Sequence, residues 1–332
     1  MKRRSFTRTL AHAAAGAALF STLALSAAGA QAQQGLSSRP IRIVVPFGAG
    51  GVADVTARVV AQQLATQLGQ PVVIDNKPSA GGIVAADTVA KSAPDGHTLF
   101  LMSNGSAVTV SLFNQLPFDM VKDFTPISTL GYFDIGVITD AKSPFRNLGE
   151  LVSYAKAHPG KLNLGSINVG STQHLAAELF KTTAGIDVQI VPFNGTPAVV
   201  TALRGKQIDA AVEILTPIMG QIHSKAVNLL AVTGEKRSPL LPGVPTAQES
   251  GVKGFVASSW NALAAPSKTP PAVIERLNKE IHAAVNHPEV AKKLRELNVQ
   301  AQASTPEQTA RLLQSEIKRW GDVIVQARIP RQ

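Results

Sequence analysis

The stretch Ile41-Arg42-Ile43-Val44-Val45-Pro46-Phe47-Gly48-Ala49-Gly50-Gly51-Val52-Ala53-Asp54 decides the fold class. Its first five residues are β-prone and mostly apolar, which reads as a buried strand, and Pro46 ends the run. The glycines from Gly48 to Gly51 then turn the chain into a helix that extends to about Leu68. The same cycle follows at once. Residues 71–75 read as a second strand, and a glycine turn at 79–82 leads into a helix ending near Lys91. Residues 98–102 form a third strand, closing in Ser103-Asn104-Gly105-Ser106. Strand, glycine turn and helix in alternation argue for parallel α/β sheets with crossover helices.

The pattern returns further on. Strands are expected at 162–166, 187–191, 210–214 and 228–232, with helices at 148–158, 172–183 and 197–204. Past Pro266 the character changes. Prolines in the first turn open helices over 273–286, 288–297 and 306–326, and a short strand is expected at 299–301. Two α/β blocks and a helical tail imply two lobes. The first comprises residues 33–132 completed by 260–332, and the second residues 133–259.

The start of the chain reads as an export signal over residues 1–32. Lys2, Arg3, Arg4 and Arg8 are followed by an Ala- and Leu-rich run over 10–30, and Ala30-Gln31-Ala32 supplies a small-x-small cleavage pattern before Gln33. Arg3-Arg4 fits either the general secretory or the twin-arginine route to the periplasm. The alternative is an uncleaved anchor, since about 20 apolar residues span a bilayer. Losing the four basic residues lowers the formal charge from +10 to +6, and no Lys/Arg run with interleaved aromatics remains. Nucleic acid is therefore not an expected partner. Cysteine is absent, so disulfides, zinc–thiolate sites and thiol catalysis are excluded.

In open parallel sheets ligands bind beyond the carboxyl ends of strands, where the following helices begin. Five turns hold that position: 48–54, 78–82, 103–106, 165–172 and 194–197. They offer Gly48, Ala49, Gly50, Gly51 and Asp54; Ser79, Ala80, Gly81 and Gly82; Asn104; Ser166, Gly170, Ser171 and Thr172; and Asn194, Gly195 and Thr196. Free N–H groups at helix starts suit an anion, and Gly lets the backbone approach it closely. Ser166, Ser171 and Thr196 could add hydroxyl donors. The only cation near these turns is Lys77, so neutral donors are expected to hold a carboxylate.

Asp54 has a plain role four residues before Arg58, as a helix-start charge with an i,i+4 partner. His174 follows the 165–172 turn, and its plain role is local packing at the helix start. Glu213 is an acid in an apolar strand, which makes it more informative than a surface charge. Residues 48–53 also fit the G-x-G-x-x-A dinucleotide fingerprint, with Asp75 where a ribose-binding acid would stand. An exported nicotinamide-dependent oxidoreductase is thus the alternative function. There is no G-x-S-x-G elbow, and the histidines lack metal-ligand spacing, so no metal, other cofactor or catalytic residue is expected.

Several segments, in order, resemble one family. They are Pro46-Phe47-Gly48-Ala49-Gly50-Gly51 with Asp54 and Ala57-Arg58; Asn76-Lys77-Pro78 with Ala80-Gly81-Gly82; and Pro94-Asp95-Gly96. Then come His174-Leu175-Ala176, Val191-Pro192-Phe193-Asn194-Gly195, Leu241-Pro242-Gly243-Val244-Pro245-Thr246, Trp260, Ala265-Pro266 and Arg319-Trp320-Gly321. The chain resembles the Bug family, periplasmic solute receptors related to tripartite tricarboxylate transporters. The resemblance implies an α/β, two-lobed periplasmic binding protein fold of type II-like form. Two crossing strands, near 130–138 and 255–263, would join the lobes around a ligand cleft. It further implies a monomer that captures a small organic carboxylate on the loops above, for uptake or sensing, with membrane subunits of such a transporter as partners. Glu213 stands where the family usually has Asp. Val52, Ala53, Ser79 and Asn261 also depart from its pattern, which bears on which carboxylate is bound.

Overall fold

The computed structural model describes residues 38–332, so the export signal and the cleavage before Gln33 lie outside the described residues. The chain begins with β1 (Ile41–Val45), α1 (Val52–Leu68), β2 (Val72–Asn76), α2 (Ile83–Ala90), β3 (Thr98–Ser103) and α3 (Asn104–Leu112). β1 lies between β2 and β3 and is parallel to both, Val45 facing Asn76 in register. The long strand β4 (Phe124–Asp140) leads into a second α/β block. That block runs α4 (Leu148–Ala157), β5 (Asn163–Ile167), α5 (Thr172–Ala184), β6 (Gln189–Phe193), α6 (Thr196–Arg204), β7 (Ala210–Ile214), α7 (Met219–His223) and β8 (Val227–Val232). β5 is parallel to both β6 and β7. β9 (Ser258–Pro266) returns to the first block, followed by α8 (Pro271–Val285), α9 (Pro288–Glu296), β10 (Val299–Ala301) and α10 (Pro306–Gln326).

The strand order is β2-β1-β3-β9-β4-β7-β5-β6, with β8 and β10 also paired to β4. β4 is the link between lobes. From Phe124 to Asp134 it pairs with β9, and from Ile135 onward with β7 and β8. The chain changes lobes again at β9. Ala257 N donates to Thr233 O at 2.8 Å and Thr233 Oγ1 to Ala257 O at 2.6 Å, while Ser258 pairs with Asp134. Both changes fall within the crossing segments expected from the sequence.

The centre of the sheet departs from the parallel pattern, because β4 is antiparallel to β7, β8, β9 and β10. β4 and β9 carry the chain between lobes in opposite directions, so no crossover helix sets them parallel.

The three proline-opened helices form as expected. α10 starts with a capping box, Thr305 Oγ1 accepting from Gln308 N at 3.2 Å and Gln308 Oε1 from Thr305 N at 3.0 Å. Its buried face, with Leu313, Trp320 and Ile324, packs on α3 and β4 and touches α5. Trp260 and Trp320, the chain's two tryptophans, are both fully buried. Among the described residues no helix is long and apolar enough to cross a membrane.

Candidate functional site

The loops after β1, β2 and β3 are tied into one surface. Phe47, Gly48, Ala49, Gly50 and Gly51 are exposed, but Asp54 beneath them is buried. Its Oδ2 accepts from Gly50 N at 2.9 Å and Arg58 Nε at 3.0 Å, and its Oδ1 from Asn76 Nδ2 at 2.9 Å. Burial alone would raise the Asp54 pKa, but the bonds from Arg58, Gly50 and Asn76 outweigh it and hold the acid below its ordinary value. Both oxygens being taken by protein donors, Asp54 shapes the loop. Asn76 Nδ2 also reaches Phe47 O at 3.0 Å, joining the first loop to the end of β2.

In the second loop Ser79 Oγ accepts from Val84 N at 3.1 Å, and Thr109 Oγ1 donates to Gly81 O at 2.8 Å. Gly81 has φ +61°, and a Cβ there would lie 2.7 Å from Phe113 Cε2. A Cβ on Gly82 would lie 2.8 Å from that of Pro46. These glycines are therefore required by the packing of the loops on one another, before any ligand enters. Asn104 is the first residue of α3 rather than part of a loop, and it is fully buried.

In the second lobe the helix starts are strongly braced. Ser171 caps α5, accepting from His174 N at 3.1 Å while donating to Ile167 O at 3.1 Å. Gly170 N reaches His174 Nδ1 at 3.5 Å, and burial holds that imidazole below its ordinary pKa. Neutral His174 thus braces the turn. Ser166 Oγ donates to Ile167 O at 3.2 Å. Gly195, bonded to Phe193 O at 3.0 Å, precedes α6, and Asn194 beside it is exposed. Thr196 Oγ1 donates to Glu213 Oε2 at 2.9 Å. The hydroxyl hydrogens of Ser166, Ser171 and Thr196 are all committed within the protein.

The contacts between the lobes include two beside these loops. Asn104 Nδ2 donates to Thr172 Oγ1 at 3.0 Å, and the Asn104 carbonyl accepts from Trp320 Nε1 at 2.7 Å. Trp320 Nε1 also reaches Glu316 Oε2 at 2.8 Å, and burial raises the pKa of that acid despite the neighbouring Arg319. The second contact is between the Gly170 backbone and the Leu112 side chain, at the end of α3.

Among the buried polar atoms without a hydrogen-bond partner are Asn261 Nδ2 and Glu213 Oε1, and the Ser103 side chain beside them belongs to the capping box that opens α3. Ser103 and Asn261 are register partners on β3 and β9, so their side chains share one face. Glu213 has no exposed surface, and burial pushes its pKa up to about 7 against weaker opposing bonds from Thr196 and Gln173. Buried polar groups are nearly always satisfied, so such orphans mark places where a water or ligand completes the structure. Lys77 faces Asp75 at 3.9 Å, and Asp75 also faces Arg42 at 3.5 Å.

Sequence reasoning missed Gln173 and Trp320 as parts of this region, gave Ser103 only as the edge of the 103–106 turn, and noted Asn261 only as a departure. Asn261 carried a usable signal, a lone amide in the apolar run Trp260-Asn261-Ala262-Leu263, of the same kind that singled out Glu213.

Comparison with known proteins was made on this footing. The family described as "Tripartite tricarboxylate transporter family receptor" matches residues 56–329. Protein BugT of Bordetella pertussis is 36% identical over 289 residues, 86% of this chain and 89% of its own. The R. palustris protein Rpa4515, solved with adipate, superposes with a TM-score of 0.78 at 32% identity, covering 87% of this chain and 97% of its own. MatC from Rhodopseudomonas palustris, solved with bound malate, gives a TM-score of 0.73 at 34% identity, covering 86% and 99%.

Proposed function

The chain belongs to the tripartite tricarboxylate transporter receptor family, and from that premise we propose that it is an exported receptor that captures a small organic carboxylate between its lobes and releases it unchanged. The observation that carries the reading is the pair of buried, unpartnered atoms Asn261 Nδ2 and Glu213 Oε1, one from each lobe. First-turn helix amides lack helical acceptors, so α3, α5 and α6 add further donors of the same neutral kind. Adipate and malate in the two R. palustris structures support the ligand class. The acid is held by backbone amides of the five loops together with Ser103, Asn261 and Glu213, while Asp54, Asn104 and His174 brace those loops, and the lobes divide near residues 132/133 and 259/260. Periplasmic export with a mature start near Gln33, a monomeric state and delivery to transporter membrane subunits complete the proposal.

A thermal-shift screen of the protein beginning at Gln33, against a panel of carboxylic acids including adipate and malate, tests this reading. A ligand at about 100 times its Kd stabilises the folded state by about 2.7 kcal/mol. For a chain of this size that is a rise of about 5 °C in melting temperature. A rise with nicotinamide dinucleotides and none with any acid overturns the reading.

Asn261→Leu separates binding from stability. The change removes a buried amide whose Nδ2 is unpartnered, so the free protein is expected to be as stable as wild type or more so. Affinity for the acid is expected to fall about tenfold, the loss of one hydrogen bond to a charged group. Calorimetry and urea unfolding check the two arms, and equal affinity in the variant places Asn261 outside the site.

A further inference from the structure

Glu213 is enclosed on every side. β4 places Gly136 opposite it, β5 runs along the other edge of β7, α5 brings the Gln173 amide and α6 the Thr196 hydroxyl. The titratable groups on these elements are turned elsewhere. On β4, Asp134 faces Ser238 and Asp140 accepts from Lys142 N, while Tyr132 interacts with Glu316. On α5, His174 and Glu178 face each other at 4.0 Å, and Lys181 acts on Glu178. Arg204 is exposed in the last turn of α6. No charged side chain contributes to the surroundings of Glu213.

The two carboxyl oxygens are not equivalent. Oε2 accepts from Thr196 Oγ1 at 2.9 Å and from Gln173 Nε2 at 3.4 Å, whereas Oε1 is buried with no partner. An ionised carboxylate in a dry site without a cation is costly, and burial accordingly moves its pKa to about 7. Oε2 accepts from both, so Oε1 is the oxygen left to carry the hydrogen when Glu213 is protonated. An O–H donor aimed at no protein acceptor is the complement of an incoming carboxylate oxygen.

We propose that Glu213 holds the captured carboxylate as a neutral acid, donating Oε1–H to one of its oxygens, so that capture is coupled to protonation and ionisation of Glu213 promotes release. The inference rests on the carboxylate-receptor reading above. Its sign follows from linkage. Ionised Glu213 would set one carboxylate against another with no cation between them, so the ligand-bound form retains the proton more tightly than the free form. Affinity is then full at pH values well below about 7 and falls as pH rises through it. The acids' own carboxyl groups titrate near pH 4, so the ligand stays ionised across this window.

Calorimetric titration with adipate and with malate from about pH 6 to about pH 9, in buffers of different ionisation enthalpy, reads the coupling directly. Wild type is expected to lose about tenfold in affinity per pH unit above the Glu213 pKa and to take up about one proton per ligand there. Glu213→Gln keeps a donor but cannot ionise, so it should bind with an affinity independent of pH and no proton uptake attributable to this site. Wild-type binding that is independent of pH overturns the proposal. So does a folded Glu213→Gln that fails to bind at the acid end, because that outcome assigns Glu213 the role of an ionised acceptor. Infrared spectra of the free protein give a separate readout, a protonated-carboxyl C=O band at the acid end that is absent from Glu213→Gln. No such band overturns the proposal alone. The band without binding of any acid overturns the carboxylate reading, and the donation with it.

Discussion

Gly170→Ala is expected to lower affinity for the captured acid about a hundredfold, or about 2.7 kcal/mol, while the free protein loses only a few degrees of melting temperature. Gly170 has φ +81°, in the left-handed region, so alanine costs about 1–2 kcal/mol in any state of the protein. The larger effect comes from the other lobe. A Cβ on Gly170 runs into the side chain of Leu112 at the end of α3, and under the proposed capture between the lobes this is a contact that the bound form must keep. Overpacking of this kind costs about 1–3 kcal/mol, and under that reading it weighs more on the bound form than on the free one. Adding Leu112→Ala to the variant should restore most of the affinity without restoring the melting temperature. Calorimetry and thermal unfolding on the single and double variants decide it. Unchanged binding by Gly170→Ala contradicts closure at this contact.

Trp320→Ala is expected to destabilise the protein by about 4 kcal/mol, read by urea unfolding. The indole is fully buried against α3 and β4, and its Nε1 serves the Asn104 carbonyl and Glu316 together. Trp320→Phe keeps most of the packing but strands both acceptors, at a cost of about 1–3 kcal/mol. It also frees the Asn104 side chain to turn, weakening its bond to Thr172 in the other lobe. Trp320→Phe should therefore lower ligand affinity as well as stability, because Trp320 braces the site through Asn104. A loss below about 1 kcal/mol in Trp320→Ala would contradict a structural role for the α10–α3 junction.

Local signals in the sequence carried much of the fold. β1, its glycine turn and α1 follow from a change of hydrophobic period within a few residues, and α8, α9 and α10 from prolines in their first turns. What was not legible depends on distant partners. The antiparallel centre arises because β4 and β9 meet across more than a hundred residues of intervening chain, which leaves no local pattern. Asn104 read as a loop donor, but its amide is spent between Trp320 and Thr172, 216 and 68 residues away. Ser171 and Thr196 were legible as hydroxyls beside helix starts, but their partners, Ile167 O and Glu213, decide where the hydrogens go. Glu213 was legible because an acid in an apolar strand is rare enough to stand out without any knowledge of its neighbours.

The most direct test is a crystal structure of the protein with its carboxylic acid bound. The carboxylate is expected between the lobes, on backbone amides of the loop and helix starts and on Ser103, Asn261 or Glu213, with no Lys or Arg nitrogen within about 4 Å of its oxygens. A carboxylate paired with Lys77, or seated outside the cleft, would contradict capture by neutral donors.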